Sequence, residues 1–239
     1  MSEKIIFILD GEVIEGEPGQ TIMEAAEAAG KYIPRLCAHP DLKPYGGCRV
    51  CTVMVNGRPQ ASCTQPIAEG IIVESESEQV RRLRCDIIEM LLVEGNHYCM
   101  FCEKSGNCEL QALAYRFGIT APKFPYFFQE FELDATHPDI FLDRNRCVLC
   151  ARCVQASRDI DGKNVFQFVG RGPKKRIAVN AEAGLGATNV DVRDRAIEIC
   201  PVGAILIKRQ GYAIPIGKRK YDHKPIGSEV ELKAAERPD

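Results

Sequence analysis

The order of apolar and polar residues changes character three times along the chain. Lys4–Leu9 is an apolar run, Asp10-Gly11 a hairpin turn signal, and Glu12–Glu15 the returning strand. Thr21-Ile22-Met23-Glu24 opens a helix that runs through Ala29, with Thr21 or Gln20 at its cap and Gly30 as its stop. Arg49–Val55, Asn56-Gly57 and Arg58–Cys63 spell a second hairpin, and Gly70–Glu74 a last strand. Strands folded around a single helix predict a β-grasp over residues 1–77.

Beyond it the period lengthens. Glu78–Leu92 carries Val80, Leu83, Ile87, Ile88 and Leu91 on one helical stripe. Asn107–Phe117 carries Leu110, Leu113, Ala114 and Phe117 at the same spacing and stops at Gly118. Residues 78–118 thus make a helical module too small to fold well on apolar burial alone, a deficit that a bound metal centre would fill. Residues 119–145 form a Pro- and aromatic-rich connector (Phe124-Pro125-Tyr126-Phe127-Phe128), expected either to pack between modules or to meet a partner. Residues 146–207 form a third module and 208–239 a polar tail. The class is α+β.

Composition changes this picture in one respect. The chain has 239 residues, 45% of them apolar, and a net charge of −2, which gives no global pull toward nucleic acid or a membrane. No apolar run has the length of a membrane span, and MSEKIIFILDGEV reads as strand and turn rather than as a signal peptide. A cytoplasmic location is expected, where thiols stay reduced. Twelve cysteines in that setting point to metal rather than to disulfides.

Eleven of the twelve fall into groups of four, three and four, with Cys85 alone. The first group, Cys37, Cys48, Cys51 and Cys63, has the form C-x10-C-x2-C-x11-C, with Tyr45-Gly46-Gly47 in its loop. One tight pair with two outlying thiolates suits a [2Fe-2S] cluster in a ferredoxin-like grasp; a structural zinc site, the alternative, usually brings two tight pairs. The middle group is Cys99, Cys102 and Cys108, one thiolate short of a [4Fe-4S] site, and His97 is the nearby soft ligand that would complete it. Sharing a face with Cys99 requires extended chain over Asn96–Cys99. Cys85 is the substitute ligand, although its place beside a helical stripe suits a small buried hydrophobe better.

The third group is Cys147-x2-Cys150-x2-Cys153 and then Cys200-Pro201. Bacterial two-cluster ferredoxins use C-x2-C-x2-C-x3-C-P twice, each fourth cysteine serving the other cluster. The positions that the second cluster would need are Ser157, Val190, Arg193 and Ala196, none of them a cysteine. The remaining four make one complete [4Fe-4S] site. Other signals are weak: Gly184-Leu185-Gly186 lacks the third glycine of a dinucleotide fingerprint and reads as a loop. Arg171, Lys174, Lys175 and Arg176 read as a solvated basic run. No residue set suggests hydrolysis.

This order of motifs resembles the N-terminal region shared by the large iron–sulfur subunit of respiratory complex I and the iron-only hydrogenases. In those proteins the histidine usually lies four residues before the first cysteine, where this chain has Gly95. The short His97-x-Cys99 form, the single-cluster third module and Gly211–Tyr221 (GYAIPIGKRKY) are similar to the diaphorase iron–sulfur subunit of cytoplasmic NAD-reducing nickel–iron hydrogenases. The resemblance implies an electron-transfer subunit with one [2Fe-2S] and two [4Fe-4S] clusters and no catalytic residue of its own. Its implied partners are a flavin/NAD-binding diaphorase subunit and the hydrogenase small and large subunits. The reaction so served is H2 with NAD+ to NADH, reversibly. Equivalent subunits of an NAD-dependent formate dehydrogenase or a complex I-like NADH dehydrogenase are the alternative, and a zinc scaffold the non-redox one.

Overall fold

The computed structural model describes residues 4–235, with side chains to residue 232. Strands β1 (Ile5–Leu9) and β2 (Glu12–Gly16) pair antiparallel from Ile5↔Gly16 to Leu9↔Glu12. Helix α1 (Ile22–Ala28) starts at Thr21, whose hydroxyl accepts from the Glu24 amide while the Glu24 carboxylate accepts from the Thr21 amide. This reciprocal cap occupies two amides that the first turn leaves unpaired. β3 (Thr52–Val55) and β4 (Arg58–Ala61) form the second hairpin, and β5 (Ile72–Glu74) inserts between the two hairpins. The sheet order is β2-β1-β5-β3-β4, with β1 and β5 parallel. Phe7, Leu9, Ile22, Ala25 and Val53 are fully buried between sheet and helix. The predicted strand from Arg49 starts three residues later because Arg49 takes a left-handed φ of 62°, which bends the cysteine loop away from the sheet.

Helix α2 (Glu78–Val93) caps on Ser77 and lies against the sheet through a buried charge. Arg84 is 2% exposed, and its Nε and Nη1 donate to the Thr52 and Ser75 carbonyls at 3.0 and 2.8 Å. Helix α3 (Glu109–Phe117) begins at Cys108 and ends on Gly118, whose φ of 70° provides the left-handed C-cap. Strand β6 (Ile140–Leu142) lies within the expected connector and pairs antiparallel with β9 (Ile205–Ile207). Between them come α4 (Arg152–Asp159), the hairpin of β7 (Phe166–Val169) and β8 (Arg176–Val179), and the short α5 (Arg195–Glu198).

A second apolar core joins Ile88, Leu110, Leu113, Val154, Ile197 and Ile205. It also takes in Ile226 and Val230, so the segment expected as a polar tail folds back onto the protein. Helix α6 (Ser228–Ala235) is fastened there by an ion pair between Arg116 and Glu231. Tyr221 and Lys220 donate through their amides to the Gly106 carbonyl and to Asn107 Oδ1, at 3.0 and 2.9 Å. The tail is polar on average, and Ile226 and Val230 reach the core while Ile214 and Ile216 stay exposed. No helix among the described residues is long and apolar enough to cross a membrane.

Candidate metal centres

The first four cysteines meet at the end of the grasp. Cys37, Cys51 and Cys63 are each 1% exposed, and Cys51 Sγ lies 3.4 Å from Cys63 Sγ. The Cys37 amide points at Cys48 Sγ at 3.4 Å, while the amides of Gly47 and Cys48 donate to the Cys37 sulfur. Gly46 turns the loop at φ 70°. A hydrogen bond from the Cys48 thiol, with the amides of Cys48 and Gly47, holds Cys37 down, and a hydrogen bond from Cys63 holds Cys51 down. Cys48 and Cys63 move up in return. Backbone amides are directed at Cys37, Cys48 and Cys51, a cradle for an anionic sulfur-rich centre.

The middle group is built differently. The expected extended run over Asn96–Cys99 is interrupted: the Cys99 amide bonds the His97 carbonyl at 2.9 Å across Tyr98, at φ −75° and ψ 79°. That is an inverse γ-turn, and Cys99 opens one turn of 3₁₀ helix. A γ-turn closes the chain more tightly than a strand does. The His97 ring is bonded to the Leu91 backbone, and its Nε2 is buried with no partner. Burial, helped by the nearby Arg146 cation, brings its pKa down to about 4, so the imidazole is neutral. A neutral ring, oriented through one nitrogen and free at the other, has the form of a metal-ligating histidine. Gly95 makes the room: a Cβ there would sit 2.4 Å from Nε2.

Burial pushes Cys99 up and Cys108 up to about 12, and Cys102 acts on both. Arg146 Nη1 lies 3.6 Å from Cys102 Sγ. Cys85 stands apart. The charged groups that act on it are Arg81, Glu89, Asp86 and Lys123, none of them in the middle set.

In the third group, Leu149 and Ala151 take left-handed φ values of 52° and 65°, wrapping the loop so that Cys147, Cys150, Cys153 and Cys200 line one enclosed apolar cavity with Ile177 and Ala204. Burial pushes Cys147 up to about 12 and raises Cys150 and Cys153 too. Such thiols give up their protons only to a centre that brings positive charge. Among the described residues no three Cys, His, Asp or Glu converge on one point able to hold a single ion. Eleven thiols and one imidazole, most of them in C-x2-C loops, are donor sets of the kind that hold iron–sulfur centres.

Four residues escaped the reading of the sequence. Gly203 approaches the middle group so closely that a Cβ would lie 2.6 Å from Cys102 Sγ. The Glu109 amide donates to the Pro201 carbonyl at 2.8 Å, joining the residue after Cys108 to the residue after Cys200. Arg146 faces Cys102, and Arg152 is buried inside the C-x2-C-x2-C run. A signal for the last pair was present, since charges directly beside ligand cysteines are poorly suited to simple burial.

Three family models match successive stretches. They are a 2Fe-2S iron-sulfur cluster binding domain (residues 2–78), the NADH-ubiquinone oxidoreductase-G iron-sulfur binding region (84–123) and the NADH-quinone oxidoreductase subunit 3 ferredoxin-like domain (137–206). The protein is thus an iron–sulfur subunit of the oxidoreductase type. The chain is 42% identical to the NAD-reducing hydrogenase HoxS subunit gamma of Cupriavidus necator over 91% of its own length and 93% of that protein's, and it belongs to that family. The crystal structure of an NAD+-reducing [NiFe]-hydrogenase in the H2-reduced state contains a chain 49% identical. It superposes with a TM-score of 0.90 and covers 95% of this chain and 98% of that one. The mitochondrial NADH-ubiquinone oxidoreductase 78 kDa subunit of Candida albicans is 35% identical over 84% of this chain, which spans only 28% of that protein.

Proposed function

We propose that Cys37, Cys48, Cys51 and Cys63 hold a [2Fe-2S] cluster. His97, Cys99, Cys102 and Cys108 hold one [4Fe-4S] cluster, and Cys147, Cys150, Cys153 and Cys200 a second. When bound, these clusters supply one-electron donor and acceptor chemistry. The chain carries electrons in the cytoplasm between the hydrogenase small and large subunits and a flavin/NAD-binding diaphorase subunit. Its own residues fix distances, exclude water and hold charge near each centre.

The observation that carries this reading is the contact between the second and third sites. Glu109 and Pro201, each next to a ligand cysteine, are hydrogen-bonded at 2.8 Å, and Gly203 brings bare backbone against Cys102. Two neighbouring sites joined through backbone suit conduction. A partner face is supported by Tyr98, Met100 and Phe101, which are 67%, 85% and 73% exposed between candidate ligands of the middle site.

Anaerobic purification of the chain with its neighbours tests the proposal. Diaphorase and hydrogenase subunits should co-purify, with about ten irons on this chain, counting ~2, 4 and 4 for the respective cluster types. The chain by itself should exchange electrons with a one-electron dye and leave NAD+ unreduced. A colourless, iron-poor chain after careful reconstitution, or NAD+ reduction by the chain alone, would overturn it.

A further inference from the structure

One guanidinium touches the surroundings of all three candidate centres. Arg152 lies between Cys150 and Cys153 and is 2% exposed. Its Nη1 and Nη2 each donate at 2.7 Å to the two oxygens of Glu109, the residue after Cys108. Nη2 also donates at 3.0 Å to the carbonyl of Ala38, the residue after Cys37. The remaining nitrogen, Nε, is buried with no partner.

We infer that Arg152 is a positioning residue that locks the three cluster-bearing loops together, and that with Glu109 it sets their relative reduction potentials. The inference rests on the three-cluster reading above. Arginine suits the task because its planar fork binds a carboxylate through two parallel bonds and has a donor left for a carbonyl. A lysine ammonium, a single point charge, cannot span the same three oxygens with that geometry. Burial matters as well. In a weakly screened interior a fixed charge acts at a distance on any centre that gains negative charge. Reduction adds one electron, so the Arg152 cation favours it and the Glu109 carboxylate opposes it. Burial acts against the guanidinium charge and Glu109 sustains it. The pair is therefore a balanced device: removing either half leaves the other uncompensated beside the ligand cysteines.

The test is an EPR-monitored redox titration of the reconstituted full chain carrying Glu109→Gln, Arg152→Gln, Arg152→Lys or the double Glu109→Gln/Arg152→Gln change. Glu109→Gln should raise the midpoint of at least the middle centre, and Arg152→Gln should lower it. Each should move by about a tenfold change in the reduction equilibrium, or about 59 mV. The double variant should return toward the parental value, the mark of a coupled pair. Arg152→Lys should keep the potentials near parental but weaken magnetic coupling between centres as the loops loosen. If Arg152→Gln fails to load, Glu109→Gln and Arg152→Lys decide. Unmoved midpoints in a fully loaded Glu109→Gln chain, or shifts of one sign in both glutamine variants, overturn the inference. An iron content far below ten in the unsubstituted chain would instead overturn the reading beneath it.

Discussion

At the N-terminal site, Cys51 and Cys63 sulfurs touch at 3.4 Å and amides of Gly47 and Cys48 aim at Cys37. At the C-terminal site, four thiols line an apolar cavity, and burial, reinforced by the neighbouring thiols, drives Cys147, Cys150 and Cys153 upward against amides such as that of Leu149, 3.4 Å from Cys147 Sγ. Backbone donors therefore reach sulfur at both sites. At the first, donors outweigh burial at Cys37 and Cys51; at the second, burial outweighs the donors. The cores differ in what encloses the cysteines. Cys51 and Cys63 sit in a core that Phe7, Leu9, Ile22 and Val53 close between a five-stranded sheet and its helix, whereas Cys153 and Cys200 sit in a core assembled from short helices and two-stranded sheets. Metal and folding should therefore be tightly linked at the C-terminal site and weakly linked at the N-terminal one.

The largest expected effect follows from that contrast. Cys150→Ala should remove four of about ten irons and lower the stability of the chain by about 5 kcal/mol or more, as loss of a structural metal site does. Cys37→Ala should cost two irons with far less loss of stability. Iron analysis and thermal unfolding of the two variants check this. Equal destabilisation would erase the distinction between the sites.

The middle site adds a neutral ligand to the comparison. Replacing the His97 imidazole by a thiolate, as His97→Cys, makes that centre more negative and should lower its midpoint by on the order of 100 mV, judged from the effect of histidine ligation at Rieske centres. A redox titration decides; a midpoint that is unchanged or higher refutes the assignment. The same ring makes the cluster-free chain sensitive to pH. Its folded value of about 4 lies below the usual 6.5. The unfolded state therefore binds the proton more readily, and the stability from a neutral His97 is complete above about pH 6.5. It falls as the pH drops from there to about 4, by roughly 3 kcal/mol in all. Denaturant titrations at pH 7 and pH 4.5 should show the loss. His97→Gln should flatten it, and a pH response that survives the substitution belongs to other groups.

How far these features were legible depends on their range. Local chemistry was plain: Asp10-Gly11 and Asn56-Gly57 gave their hairpins, Thr21 with Glu24 its cap, and Gly118 its helix stop. Cysteine spacing grouped the candidate ligands because each C-x2-C pair lies on a single loop. Two short strands separated by more than sixty residues were beyond periodicity, so Ile140–Leu142 passed for connector until paired with Ile205–Ile207. The same holds for Ile226 and Val230, apolar residues too sparse to mark a core element. Arg152 and Glu109 are 43 residues apart, and nothing in either neighbourhood announces the other.

The smallest expected effect concerns the cysteine left over. Cys85 is half-buried on α2, its charged neighbours are Arg81, Glu89, Asp86 and Lys123, and burial raises its thiol. None of those neighbours is a candidate ligand of the middle site, and the side chain packs against the apolar core instead. Cys85→Ser keeps the size of the side chain and exchanges a weakly polar sulfur for a hydroxyl that the half-exposed position can hydrate. It should cost less than about 1 kcal/mol and leave the iron content and every midpoint unchanged. The measurement also bears on His97, since Cys85 is the substitute ligand for the middle site. Loss of about four irons in Cys85→Ser would transfer the ligand role to Cys85 and remove it from the imidazole.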